Sequence, residues 1–98
     1  MLNIVNKSPL DRSSLDACLQ SAEAGVILLI EDGVYAATKG SAGETKLKSA
    51  GGKFKIYALA PDIEARGIAD RVMDGVTLVD YGGFVDLVAE HRTTQSWL

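Results

Sequence analysis

The sequence predicts an α/β fold, in which helices alternate with the strands of a small, doubly wound, mostly parallel sheet of four to five strands. Two observations predict it. Short segments rich in apolar and β-branched residues alternate with segments that have helical spacing. One apolar segment, residues 26–30, contains no polar residue at all, which is typical of a strand buried on both faces. Parallel sheets bury their strands in this way because crossover helices cover both faces.

The first part of the chain predicts a strand and a helix before this apolar segment. Residues 2–6 alternate apolar and polar side chains and predict the first strand, which Pro9 ends because proline cannot donate to a sheet. A helix follows, with Asp11 or Ser13 as its N-cap and Gly25 after its last turn. Its apolar stripe, at spacings of three and four, consists of Leu15, Cys18, Leu19 and Ala22.

The middle of the chain predicts one strand after two weaker helical signals. Residues 34–37 predict a helical turn or two, capped by Asp32. Residues 38–52 are polar and contain four glycines, so they predict no more than a short amphipathic helix over residues 43–50. Residues 54–59 alternate again and predict the third strand.

The last part predicts a strand between two helices. A short helix begins at residues 60–62 and is interrupted by Gly67, and residues 76–79 predict the fourth strand. The last helix covers residues 83–91, and an apolar tail with room for a terminal strand follows. The apolar face of this helix consists of Phe84, Leu87, Val88 and His91. The resulting architecture resembles flavodoxin-like and Rossmann-like sheets, in which ligands gather at the carboxyl ends of the strands.

Length and composition describe one domain that covers residues 1–98. Hydrophobic residues make up 47% of the chain and charged residues 23%, which excludes a mostly disordered chain. The formal net charge of −3 argues against direct nucleic-acid binding, because phosphate affinity depends on clustered Lys and Arg. No apolar run approaches the ~20 residues of a membrane span, and no secretory signal is visible. A single cysteine cannot form an internal disulfide, so we expect a cytoplasmic protein.

Cys18, the only thiol, is the candidate catalytic residue, as an auxiliary persulfide site. A thiolate can accept a sulfane sulfur when the thiol is partly exposed and its pKa is lowered. The position of Cys18 opposes both conditions. It lies in the apolar stripe about two turns from the start of the helix, with no Lys or Arg at i±3 or i±4. Packing is therefore the simpler interpretation, and burial should raise the pKa of this thiol.

Other chemistry-bearing residues are weaker candidates. His91 ends the apolar face of the last helix, where packing or a place at the solvent edge is a simpler role than that of a base. The serines lack the G-x-S-x-G turn of a hydrolase, and the glycines match no nucleotide-binding motif. One cysteine and one histidine cannot build a zinc site, and the adjacent Glu31 and Asp32 are weak evidence for a metal. We expect neither a cofactor nor a metal.

Several segments along the chain are informative when taken together. They are residues 2–9 (LNIVNKSP), residues 28–37 (LLIEDGVYAA), residues 57–59 and 62–67 (YAL and DIEARG), residues 79–87 (VDYGGFVDL) and Trp97. In this order and spacing, over nearly the whole chain, they resemble the DsrH/TusB family of the DsrE/F/H-like superfamily. No single segment is decisive.

The resemblance implies a subunit of a sulfur-relay complex. Its sister subunits are DsrE/TusD-like and DsrF/TusC-like proteins, in a hexamer with two copies of each. The complex takes persulfide sulfur from a TusA-like donor and passes it to a DsrC/TusE-like acceptor. The sulfur serves either 2-thiolation of the tRNA wobble uridine or dissimilatory sulfur oxidation. The main active cysteine belongs to the DsrE/TusD-like subunit, so this chain would be non-catalytic or auxiliary. DsrH-type members have a cysteine where Cys18 stands, and some TusB members lack it, which favours the DsrH side.

Two other functions stay open. A free-standing small-molecule-binding domain of flavodoxin-like shape would use Lys7, Ser8 and Asp32 at the carboxyl edge of the sheet. A self-sufficient single-cysteine sulfurtransferase would use Cys18. Co-purification with sister subunits distinguishes the relay subunit from both. We also expect a homo-oligomer when the chain is expressed alone, because Trp97 would expose a large ring unless a partner covers it.

Overall fold

Strands and helices alternate throughout the computed structural model of this protein, which describes residues 1–8, 13–21, 25–50 and 52–97. The strands are β1 (Leu2–Val5), β2 (Gly25–Leu29), β3 (Phe54–Leu59), β4 (Val76–Val79) and β5 (Thr94–Trp97). The α-helices are α1 (Ser14–Ser21), α2 (Ala42–Ala50), α3 (Ala60–Ala65) and α4 (Tyr81–Glu90). Two 3₁₀ segments, Glu31–Ala37 and Ala69–Arg71, follow β2 and α3.

The five described strands form one parallel sheet in the order β4-β3-β2-β1-β5. Each step from β1 to β4 moves one strand in the same direction, whereas the step from β4 to β5 returns across the whole sheet. Right-handed crossovers therefore place α1, α2 and α3 on one face and α4 on the other. The predicted fold class is confirmed, and the apolar tail belongs to a fifth strand.

The face covered by α1, α2 and α3 contains the larger core. Ile27 and Leu29 of the central strand β2 point to this face and are completely buried, as the all-apolar segment predicts. They share one cluster with Leu15 of α1, Leu47 of α2 and Ile63 of α3. Truncating either β2 side chain to alanine should cost about 2–5 kcal/mol, because a cavity would remain in the core.

On the opposite face, α4 is the one helix that the described part of the chain provides. Leu2, Leu28 and Leu87 form the buried centre of this second core. Partly buried apolar side chains surround this centre: Ile4, Val26, Ile30, Tyr57, Val79 and Phe84. The second core is thus smaller than the first and lies mainly under the middle of the sheet.

One predicted feature after α1 is wrong: Asp32 does not cap the segment that follows β2, because this segment is a 3₁₀ helix that starts at Glu31 without any side-chain cap. The predicted end of the first helix just before Gly25 falls on residues 22–24, which lie outside the described residues. Gly25 itself is the first residue of β2 and has a φ of +137°. A side chain at Gly25 would also meet the carbonyl oxygen of Met1 at 2.6 Å, so the position requires glycine.

The other helix boundaries agree more closely with the sequence. The short helix predicted over residues 43–50 is present as α2. The last helix begins two residues earlier than predicted, because the Asp80 carboxylate accepts a hydrogen bond from the Gly83 amide at 2.8 Å and caps it. The predicted stop at Pro9, the cap at Asp11 and the stripe residue Ala22 lie outside the described residues. None of the helices in the described ranges has the length and apolar character needed to cross a lipid bilayer.

Candidate functional site

Cys18 lies in the middle of α1 with its side chain completely buried in the first core. Burial raises the pKa of the Cys18 thiol to about 11. At neutral pH the sulfur is therefore a protonated thiol, shielded from any donor in solution. In this conformation Cys18 packs; it does not act as an exposed nucleophile.

His91 does not form a catalytic pair with Cys18. It follows α4, on the face of the sheet opposite to α1, and its Nδ1 donates to the carbonyl oxygen of Leu87 at 2.7 Å. The imidazole thus satisfies one of the last carbonyls of the helix, which is a capping role. Ser14 is buried on α1, so the sheet separates it from His91 as well.

The carboxyl edge of the sheet is held by one polar cluster. Arg66, after α3, donates from Nε and Nη2 to one oxygen of Asp32 at 3.0 and 2.9 Å. Its guanidinium also lies 6.0 Å from the centre of the Tyr35 ring. A carboxylate oxygen of Asp62 accepts from the Glu31 amide at 2.7 Å. These contacts tie the 3₁₀ segment to α3, and they occupy the carboxylate that a small-molecule site would use.

The neighbouring end of β1 is closed by backbone. A Cβ atom at Gly33 would lie 2.1 Å from the carbonyl oxygen of Val5, so the 3₁₀ segment runs directly against the end of β1. The side-chain oxygen of Asn6 is buried there without a hydrogen-bond partner in the described part of the chain. Of the residues that a small-molecule site would use, Ser8 is buried and the Asp32 carboxylate is paired with Arg66. Within the described ranges, no group of three or more His, Cys, Asp or Glu side chains could hold a metal ion.

An open groove lies at the other end of the sheet. It encloses about 500 Å³ between α2 and the starts of β3 and β4. Four apolar side chains line it, together with two lysines, one aspartate and one glycine: Leu47, Lys48, Phe54, Lys55, Ile56, Met73, Asp74 and Gly75.

Trp97 is partly covered by its own chain. Its indole Nε1 donates to the Asn3 side-chain oxygen at 3.2 Å, and its ring packs against the first core. The ring is thus partly buried within its own chain, and its contact with a sister subunit or a second copy stays a prediction. Leu98 lies outside the described residues.

The large exposed apolar surface lies instead along α4. Tyr81, Val85 and Val88 are 62%, 65% and 40% exposed, and their i, i+4, i+7 spacing places them along one side of the helix. We call these three residues the α4 stripe. The sequence analysis assigned Val88 to the buried face and overlooked Val85. The missed signal was the number of apolar residues in this helix, which exceeds what one buried face needs.

Comparison with known proteins places this arrangement in context. The family described as DsrH like protein matches residues 7–94. Protein TusB of Pectobacterium parmentieri is 36% identical over 98 residues, covering 99% of this chain and all of that protein. Protein TusB of Escherichia coli K12 is 34% identical over 99 residues, with the same coverage.

Solved structures share the fold at low identity. The YchN protein of E. coli superposes with a TM-score of 0.80 at 16% identity and covers 97% of both chains. A protein of unknown function from Methanobacterium thermoautotrophicum, MTH1491, has a TM-score of 0.72 at 17% identity, over 97% of this chain and 96% of that one.

Proposed function

Because the chain belongs to the DsrH family, we propose that it is a subunit of a cytoplasmic sulfur-relay complex that transfers persulfide sulfur between proteins. The full-length match to TusB proteins carries the proposal. The buried Cys18 supports a non-catalytic or auxiliary role, because a self-sufficient sulfurtransferase needs a reactive thiol at its surface.

The proposed partners are a DsrE/TusD-like and a DsrF/TusC-like sister subunit, in a hexamer with two copies of each. The sister subunits would supply the main persulfide cysteine, and this chain would complete the assembly. Through the complex, sulfur would pass from a TusA-like donor to a DsrC/TusE-like acceptor. Expressed alone, the chain would cover its exposed apolar surface by weaker self-association.

The proposed destination of the sulfur is the 2-position of the tRNA wobble uridine. The similarity to proteins named TusB supports this destination over dissimilatory sulfur oxidation. Cys18 at the position typical of DsrH-type members supports the alternative destination. Deleting the gene and measuring 2-thiouridine in total tRNA distinguishes the two, since only the first destination predicts its loss.

An auxiliary role for Cys18 would involve one balanced exchange. The thiolate would attack the outer sulfur of the donor's persulfide and form a new S–S bond. The donor's own S–S bond would break, and the donor would leave as a thiolate, with no external oxidant or reductant. This exchange requires α1 to expose Cys18 and the thiol to lose its proton. Burial opposes the first, and the pKa of about 11 that burial causes opposes the second.

The proposed function is tested by reconstitution. Co-expressed with both sister subunits, this chain should co-purify with them at a fixed ratio and be needed for sulfur transfer to the acceptor. Cys18→Ser within the complex should leave the transfer rate largely unchanged if the role is auxiliary. Failure of the chain to co-purify with either sister subunit would contradict the proposal.

A further inference from the structure

We propose that the outer edge of β4 is a docking site that pairs with an extended segment of a sister subunit, and that Lys or Arg flanks this segment at both ends. Such a contact presupposes the proposed function, which supplies the sister subunit. It adds the place of contact, the mode of binding and the chemistry of the bound segment.

β4 is one of the two outermost strands of the sheet, and among the described strands it pairs with β3 alone. Along a strand, the backbone N–H and C=O groups point alternately to its two sides. Those on the outer side of β4 therefore have no strand to bond to within the described ranges, and no loop backbone in these ranges bonds to them. A strand edge of this kind is a template for an added strand, which supplies the missing backbone partners.

Of the two edges of the sheet, β4 is the one suited to a protein contact. Three of its residues, Val76–Val79, are apolar, and Leu78 is 44% exposed and belongs to neither core cluster. β4 also contains neither Lys nor Pro, the residues that commonly keep an edge from pairing. At the opposite edge, β5 is polar, with Thr94, Gln95 and Ser96 exposed. Covering the apolar edge removes more apolar surface from water, so β4 gains more from a partner.

The charges at the two ends of β4 indicate which segment fits. Asp74 lies two residues before the strand and Asp80 directly after it; both are exposed, and neither forms an ion pair within the described ranges. A segment paired along β4 passes both carboxylates, because its ends lie beside the ends of β4. Residues 67–90 contain five acidic residues and one basic residue, Arg71. A segment with Lys or Arg at both ends matches this edge, and its ion pairs add to a backbone contact only four residues long.

A second copy of this chain fits the edge less well. In a two-fold contact the two β4 strands would run antiparallel, so Asp74 of each copy would lie near Asp80 of the other. Like charges brought together in this way lower the affinity, and each copy also has a net charge of −3. A basic segment of a sister subunit is therefore the occupant that the charges favour.

Hydrogen exchange tests the edge directly. Backbone amides on the outer side of β4 should exchange rapidly in the chain alone and at least about tenfold more slowly in the complex with the co-expressed sister subunits. The outer amides of β5 are the matched control, since they lie at the other edge of the same sheet, and they should change by less than about twofold. Hydrogen–deuterium exchange mass spectrometry, with fragmentation that resolves single amides, measures both strands.

A substitution on the edge strand tests the contact by a second route. Leu78→Lys places a charge on β4, in the way that natural edges avoid pairing, and should weaken assembly by about tenfold or more. Gln95→Lys adds the same charge to the exposed edge strand β5 and should change assembly by less than about twofold. Melting curves of the chain alone should show that both variants fold, because both side chains are exposed.

Charge reversal tests the chemistry of the bound segment. Asp74→Lys should weaken assembly by about tenfold at low salt and by less at high salt, because salt screens the lost ion pair. Glu90→Lys is the matched control: it makes the same charge change at the exposed end of α4, which leads to β5, and should have less than about a twofold effect. Sedimentation equilibrium with the sister subunits at two salt concentrations measures both.

The outcomes separate the docking edge from the proposed function. If the β4 amides exchange equally fast in the chain alone and in the complex, or if Leu78→Lys assembles like the wild type, the docking edge is overturned and the sulfur-relay proposal stands. If these amides become protected in the chain alone as its concentration rises, a second copy occupies the edge and the sister-subunit segment is overturned. If Asp74→Lys assembles like the wild type, the basic flanks are overturned. If the wild type binds neither sister subunit, both proposals fail.

Discussion

The indole nitrogen of Trp97 donates to the side-chain oxygen of Asn3 at 3.2 Å, which joins the last described strand to the first. Asn3 is completely buried, and its amide in turn donates to the carbonyl oxygen of Val26 at 3.2 Å. One side chain therefore links three neighbouring strands. A buried amide has to be paired in this way, because an unpaired one would lose its bonds to water without replacement.

We predict that Trp97→Phe lowers the free energy of unfolding by about 1–3 kcal/mol, because it leaves the Asn3 oxygen buried without a donor. Urea denaturation followed by circular dichroism measures this, since Trp97 is the only tryptophan and its fluorescence is lost. Asn3→Leu combined with Trp97→Phe should cost less than the sum of the single changes. Additive losses would show that the hydrogen bond is unimportant.

The thiol of Cys18 should react slowly. With the pKa at about 11, half-maximal alkylation of the folded chain is expected near that pH. A small alkylating reagent and mass spectrometry across a pH series measure it. Half-reaction well below pH 8 would show that Cys18 is a more competent sulfur acceptor than its burial indicates.

The same pKa makes folding depend on pH. Because the folded-state pKa lies above the unfolded value of 9.0, this stabilisation is complete below pH 9 and is lost as the pH rises towards 11. The loss should be roughly 2–3 kcal/mol. Cys18→Ala should remove this part of the pH dependence, so comparing it with the wild type cancels the titration of tyrosines and lysines. Parallel curves for the two proteins between pH 9 and 11 would refute the prediction.

Glu31→Gly should stabilise the fold by up to about 1 kcal/mol. Glu31 has a φ of 49°, a left-handed conformation that glycine adopts without steric cost. The amide that donates to Asp62 is kept in this variant. Glu64→Gly, at an exposed position of α3, is the control and should destabilise by about 1 kcal/mol. Thermal melting of both variants measures these changes in stability. A lower melting temperature for Glu31→Gly than for the wild type would argue against strain at Glu31.

Gly33→Ala should be strongly destabilising, by about 3 kcal/mol or more, because its new Cβ would lie 2.1 Å from the backbone oxygen of Val5. Gly52→Ala is the matched control: no atom lies within 4 Å of its added Cβ, and a change within about 0.5 kcal/mol is expected. Equal effects at the two positions would show that the end of β1 can move aside.

Local patterns predicted most of the fold, because period and residue type fix strands and helices locally. The all-apolar residues 26–30 predicted the central strand, since only a strand covered on both faces buries Ile27 and Leu29 together. The start of α2 could also have been predicted from the sequence, because Ser41 and Glu44 have the spacing of a capping box. In the structure the Ser41 hydroxyl accepts from the Glu44 amide, and the Glu44 carboxylate accepts from the Gly40 amide, which lowers the pKa of Glu44.

Contacts between distant parts of the chain could not be predicted from these local patterns. Arg66 and Asp32 are 34 residues apart, so no local signal showed that Asp32 would bind a guanidinium and not cap a helix. The cover over Trp97 depends on Asn3, 94 residues away. The α4 stripe was missed for a related reason. A helical period shows that apolar residues share a face, but the sheet decides which of them it covers, and a single sheet could not cover all of those on α4.

The return of the chain from β4 across the sheet has a consequence for biosynthesis. Leu2 and Leu28 are made early, but Leu87, which closes their core, is made only after all four of the first strands. A growing chain can therefore pack one side of its sheet as it leaves the ribosome while the other side stays bare. We expect this nascent intermediate to be the species that chaperones bind, until synthesis of α4 ends its exposure.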